Sequence, residues 1–261
     1  MGVERPVGRR ADRLRIRADR PERKLASKRP ITRERIVDEA LRIVAAEGFD
    51  ALTMRRVAAA INTGPASLYA HVQDKAHLDE LLIGRLCSEV LVPVPDPARW
   101  QEQMLAFVSD VRDKYLAYPG LSRAGLAVIP TNLETLRISE GLLSILIAGD
   151  VPPQRAAWAV DALALYVAAY CLEVSLWITD ATKDDPWEFE SDFRAAFDAL
   201  PADQFPMTKK YASELVAGQG HDRFDFAVTA LLSGLGGSGG AGGLGGPGGN
   251  GGRLTRAKGR R

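Results

Sequence analysis

The chain is poor in the residues from which most catalytic centres are built. Two cysteines among 261 residues cannot form a disulfide scaffold. Three histidines, His71, His77 and His221, offer no metal-ligand spacing, and His71 and His77, six apart, diverge on helices. There is no nucleophile elbow, no HExxH pair and no Gly-rich loop between a strand and a helix. An enzyme is therefore only an alternative reading, and no cofactor or metal is expected. No apolar leader is present, so no secretory signal is expected. The longest mostly apolar stretch, residues 156–172, is broken by Asp161 and is too short to span a bilayer comfortably. A cytoplasmic protein without membrane contact is expected. Cys87 and Cys171 lie in apolar helical patterns, which suits buried free thiols in a reducing compartment.

Net charge is also small, at +1, but it is unevenly spread. Residues 1–29 carry eleven basic residues and four acids, a net of +7. Residues 30–78 balance to zero, residues 79–252 sum to −11, and residues 253–261 carry five basic residues and no acid. Basic arms flanking an acidic body are an electrostatic means of holding phosphates, and equally the composition of a solvated, disordered terminus. Residues 236–252, GGSGGAGGLGGPGGNGG, have almost nothing to bury and should be a flexible linker to the basic tip.

What is plentiful is helical periodicity. With 46% apolar residues there is ample material for a core. Ile36, Ala40, Ile43 and Val44 share one face of a helix that Thr32 caps and Gly48 stops. Thr53 caps a second helix to Ala60, and Asp74 caps one from Lys75 to about Leu91, before Pro93, Pro95 and Pro97. Further helices are expected at about 98–117, 121–127, 131–148, 153–180, 187–199, 208–217 and 221–235. The expected fold is all-α. A disordered basic arm (1–29) precedes a three-helix domain (30–78), a helical body (79–235) and a Gly-rich disordered tail with a basic tip (236–261).

Residues 53–72, TMRRVAAAINTGPASLYAHV, read as two short helices joined by a tight turn. Val57, Ala58, Leu68 and Val72 point inward, and the small Ala58 lets the helices cross closely. That is the anatomy of a helix-turn-helix. The turn needs a residue at positive φ, and Asn62 is the candidate. Pro65 suits the first turn of the second helix, expected to run to His71.

The segment LTMRRVAAAINTGPASLYAHVQDKAHLDELL, preceded by AAEGFDA, closely resembles the DNA-binding domain of TetR-family transcriptional regulators. Matching positions are Gly48, Phe49, Leu52, Thr53, Arg55, Val57, Ala58, Leu68, Tyr69, His71, Val72, Lys75 and Leu78. Asn62 stands where the family usually has Gly, and Thr63 where it has an aliphatic residue. The resemblance implies a ligand-responsive regulator, usually a repressor, that binds a pseudo-palindromic double-stranded operator as a homodimer. A constitutive DNA binder without effector is the alternative. The second helix of the motif would enter the major groove with Thr63, Gly64, Pro65, Ala66 and Ser67 leading. Thr53, Tyr69, His71 and Lys75 would meet phosphates, and Arg55 a guanine edge. Gly64, Pro65 and Ala66 carry no side-chain donor or acceptor. Much affinity is therefore expected from phosphates and from the N-terminal arm entering the adjacent minor groove.

For the body, the resemblance implies dimerisation and a small-molecule site. Tyr166, Tyr170, Glu173 and Trp177 share one helix face, as do Trp100, Met104, Phe107 and Val111. Each stripe is either a ligand-cavity wall or ordinary core. The last helix, with Phe224, Ala227, Val228, Leu231 and Leu232, and helix 153–180 are the candidate dimer elements.

Overall fold

A computed structural model describes residues 30–127, 132–179 and 189–235. The arm (1–29) and tail (236–261) expected to be disordered lie outside the described residues. Among those described there is no strand. The helices are α1 (Arg33–Glu47), α2 (Met54–Ala60), α3 (Pro65–Leu68), α4 (Lys75–Ser88), α5 (Trp100–Leu116), α6 (Ser122–Ala127), α7 (Leu133–Ala148), α8 (Pro153–Thr179), α9 (Phe189–Asp198), α10 (Pro206–Lys210), α11 (Ala212–Val216) and α12 (Asp222–Leu235). A 3-10 turn, Phe49–Ala51, separates α1 from α2.

The ends form where capping chemistry places them. The Thr32 hydroxyl accepts from the Arg35 amide at 3.2 Å, Thr53 from Arg56 at 3.1 Å and Asp74 from His77 at 2.8 Å. Gly48 closes α1 at φ +80°, its amide bonded to the Val44 carbonyl. Some helix ends differ from the sequence expectation. α3 ends at Leu68, not His71, because the amides of His71 and Val72 both turn back onto the Leu68 carbonyl and send Val72 into the core. α4 stops at Ser88, and α5 starts at Trp100 after Pro97. The expected helix 208–217 is two short helices, broken at Tyr211.

Ile36, Ala40, Ile43, Val44, Val57, Leu68 and Val72 form the core of the N-terminal unit, closed from below by Leu78 and Leu82 of α4. α4 then continues into the body, where it packs on α7. α5 descends beside α8 and returns the chain to the N-terminal unit at Tyr118–Gly120. There the Phe49 amide donates to the Pro119 carbonyl at 2.9 Å, and Gly120 (φ +81°) lets the backbone pass beside Phe49. Arg123 of α6 pairs with Asp50 at 2.6 Å across the same seam.

At 27 residues, α8 is long and apolar enough, by length and composition, to cross a membrane, contrary to the sequence expectation. Here it is the central helix of the body, packed against α5, α6, α7 and α12, with 44% of its most apolar 18-residue window buried inside the chain. Cys87 and Cys171 are free and buried.

Candidate DNA interface and effector cavity

The edge of α3 is presented to solvent. Gly64, Pro65, Ala66 and Ser67 are exposed, Thr63 is half-buried, and only Leu68 turns fully inward. Gly64 caps α3 without a side chain, so the helix start stays unobstructed. Asn62 holds the turn at φ +58°, the left-handed conformation the turn required. Asn62→Val, which puts a β-branched side chain at that φ, should cost about 1–2 kcal/mol of stability, whereas Asn62→Gly should stay near neutral. Chemical denaturation of the two variants measures the difference.

Around that edge the other expected DNA residues divide into two groups. Thr53 and Arg55 are exposed at the start of α2, and Tyr69 is 53% exposed just past α3. Arg55 has no hydrogen bond or ion pair among the described residues, while its neighbour Arg56 is held by Glu47 at 2.5 Å. The Thr53 oxygen accepts its capping bond, which leaves the hydroxyl proton for a phosphate. His71 and Lys75 are half-buried. Lys75 is engaged within the chain: it pairs with Asp79, and its ammonium lies 4.2 Å from the Phe49 ring centroid. A phosphate at Lys75 would have to share it with Asp79. Arg33 and Arg35 were not singled out from the sequence. They brace the motif by donating to the His71 and Ile61 carbonyls, each at 3.4 Å.

In the body, α4, α5, α6, α7 and α8 line a partly open cavity of about 160 Å³. Ile83 and Cys87 of α4, Val111 and Tyr115 of α5, Gly125 of α6, Thr135, Ile138 and Leu142 of α7, and Leu163 and Val167 of α8 line it. Burial pushes the Cys87 thiol up to about 11, so it is neutral and unreactive at physiological pH. Burial likewise raises the Tyr115 phenol well above its ordinary value.

A family model described as "Bacterial regulatory proteins, tetR family" matches residues 36–80, and one described as "Tetracyclin repressor-like, C-terminal domain" matches residues 93–237. The chain belongs to the TetR family. It is similar to the TetR-family protein ActR of Streptomyces coelicolor, solved with actinorhodin, at 33% identity and TM-score 0.71, over 79% of this chain and 97% of that one. ActR has also been solved with (S)-DNPA. An HTH-type transcriptional regulator of Saccharopolyspora erythraea is 30% identical over 38% of this chain and 42% of its own length. The HTH-type transcriptional repressor DrrR1 of Streptomyces coeruleorubidus is 35% identical over 35% of this chain and 34% of its own. These matches span less than half of either relative. TetR-family membership makes the chain a DNA-binding transcriptional regulator, and the relatives' names are those of regulators, not enzymes.

The seven residues expected at the ligand site of this TetR-family chain are spread over α5 and α8. None is among the described residues that line the cavity of about 160 Å³. Met104 and Phe107 are buried core, with Phe107 seated against Gly141, and Trp100 packs on Gly149. Tyr166 stacks on Phe224 at 5.6 Å between ring centroids. The Tyr170 hydroxyl bonds His221 Nδ1 at 2.9 Å. Those two tyrosines fasten α12 to α8. Glu173 pairs with Arg223 at 3.0 Å, and the Arg223 guanidinium lies 5.0 Å from the Trp177 ring. Glu173 and Trp177 line a separate opening of about 260 Å³ with Phe193 and Phe197. Of the two stripes, only Val111 reaches the cavity lined by α4 to α8.

The last helix also faces differently from expectation. Phe224, Val228 and Leu232 are buried in their own chain, while Phe226 is 76% exposed. On α8, Trp158, Leu165 and Leu176 are exposed, and Leu172 is half-buried in the same stripe.

Proposed function

We propose that this TetR-family regulator is a repressor that binds a pseudo-palindromic operator as a homodimer and leaves it when a small hydrophobic effector enters the cavity lined by α4 to α8. Residues 30–78 would serve as the DNA-binding domain and residues 79–235 as the effector-binding and dimerisation domain. Such a regulator works where the DNA is, in the cytoplasm.

The observation that carries the proposal is the double use of α4. Its first half, through Leu78 and Leu82, closes the core beneath the helix-turn-helix, and its second half, through Ile83 and Cys87, forms a cavity wall. It is also tied to α7, the neighbouring wall on which it packs: Asn132 Nδ2 donates to the Glu80 carbonyl at 3.3 Å, and Arg137 donates to the carbonyls of Cys87 at 2.5 Å and Val90 at 3.0 Å. A ligand that spreads the walls therefore shifts α4. A shift of α4 in each protomer changes the separation of two α3 edges that must fit one operator. ActR, solved with small molecules, supports the effector role, and DrrR1, by name a repressor, supports the mode.

Dimerisation is proposed through α8 and α12. Trp158, Ala162, Leu165, Ala169, Leu172 and Leu176 follow one another at spacings of four and three, a seam suited to a four-helix bundle, with Phe226 beside it. Two protomers related by a two-fold axis would present their α3 edges to successive major grooves. Gel shift on the chain's own promoter, followed by a thermal-shift screen of hydrophobic compounds, tests the whole scheme. A sequence-selective shift that a stabilising compound reverses is expected. A shift that no stabilising compound reverses would leave a constitutive DNA binder.

The basic arm, residues 1–29, is proposed to reach DNA. Deleting residues 1–28 should weaken operator binding and flatten the slope of log K against log salt by about 0.9 for each phosphate that the arm neutralises. An unchanged slope would place the arm away from DNA.

A further inference from the structure

The cavity lined by α4 to α8 is uniform in all but one respect. Its described walls carry no charged side chain. Two of its three hydroxyls already donate locally: Thr135 to the Asn132 carbonyl at 2.9 Å, and Ser139 to the Thr135 carbonyl at 3.3 Å. The third is Tyr115. Its side chain is largely buried, but its hydroxyl oxygen is not sealed off: it makes no hydrogen bond to another described residue and opens onto the cavity space. It lies against Gly125 of α6, where a Cβ would come within 2.6 Å of the phenol oxygen. Glycine is what allows α6 to pass over this hydroxyl.

A hydroxyl that opens onto an apolar cavity and has no acceptor in the protein is free to donate to an oxygen of a bound molecule. Burying a carboxylate or ammonium among these walls would be costly, with no opposite charge to meet it. The volume, about 160 Å³, is on the scale of an apolar cavity that admits benzene. We propose that the effector is a neutral, compact, chiefly aromatic molecule with one hydrogen-bond acceptor, a carbonyl or ether oxygen, placed to take the Tyr115 proton, and that Tyr115 determines this specificity. The proposal rests on this cavity being the effector site.

Three probes of similar shape separate the components: acetophenone, ethylbenzene and benzoate, each titrated into the full-length chain by ligand-observed NMR. Acetophenone should bind about 5- to 10-fold tighter than ethylbenzene, as one buried hydrogen bond allows, and benzoate should not bind detectably. In Tyr115→Phe the acetophenone advantage should vanish while ethylbenzene binds at least as well. Ser139→Leu, which narrows the cavity from a half-buried wall position, should weaken both neutral probes. Acetophenone and ethylbenzene binding equally in the native chain, or an acetophenone advantage that persists in Tyr115→Phe, would overturn the role of Tyr115 and leave the cavity reading standing. Benzoate binding as well as acetophenone would overturn the neutral class. Probes that bind as well to Ser139→Leu as to the native chain, or that do not bind at all, would overturn the cavity as the effector site.

Discussion

Replacing Leu68 with alanine is expected to abolish operator binding while leaving the body folded and self-associated. Leu68 is fully buried beneath α3, a helix of four residues, and α2 has only seven. Helices that short do not hold themselves together in water, so the position of α3 is set by packing. Truncating a buried leucine costs about 2–5 kcal/mol, depending on how far the site collapses. A unit in which two of the three helices are this short has little stability to lose. The recognition edge would then be disordered in most molecules, and operator affinity should fall more than about 100-fold. Leu68→Met, which keeps the volume, should cost less than about 1.5 kcal/mol and retain binding. Fluorescence anisotropy on operator DNA, with sedimentation for association state, measures both halves of the expectation. An alanine variant that binds normally would mean that α3 is held by something other than its one inward side chain.

Leu165→Glu combined with Phe226→Glu should have an effect of similar size by a different route. Both side chains are exposed in the single chain, at 51% and 76%, so the protomer should fold unchanged. In the proposed dimer they meet the partner's apolar seam, where four buried carboxylates without partners would cost several kcal/mol. Sedimentation velocity should show a monomer. Operator affinity should fall by about 100-fold or more, because two half-sites would no longer be read by one tethered pair of motifs. If the double variant remains dimeric, the interface lies on another face.

The three-helix motif was legible in the sequence because each of its positions has one physical task at a fixed spacing. Thr32, Thr53 and Asp74 cap, Gly48 stops α1, Asn62 supplies positive φ, and Val57, Ala58, Leu68 and Val72 turn inward. All are local requirements, and local requirements survive into the fold. The cavity was not legible in the same way. Five helices contribute to it, and periodicity says which residues share a face but not what that face meets. Tyr166 and Tyr170 share a face as expected, yet that face meets Phe224 of α12 and His221 just before it. Phe224, Val228 and Leu232 form an apolar stripe as expected, yet it seals the chain's own core and leaves Phe226 outside. One signal was present on α5: Val108, Val111 and Tyr115 recur at spacings of three and four beside the Trp100–Met104–Phe107 stripe, and all three line the cavity. Lys75 shows the opposite limit, since its matching position gave no hint that Asp79 and Phe49 already hold it.

The most direct test of the central proposal is a nuclease footprint of the full-length chain on the DNA flanking its own gene, with the number of protomers bound measured on the protected fragment. The expected result is one selective, two-fold-related site, its half-sites about one helical turn or a small multiple apart, occupied by two protomers and vacated when a cavity-binding compound is added. Protection spread evenly along the DNA, or a single protomer bound per site, would contradict it.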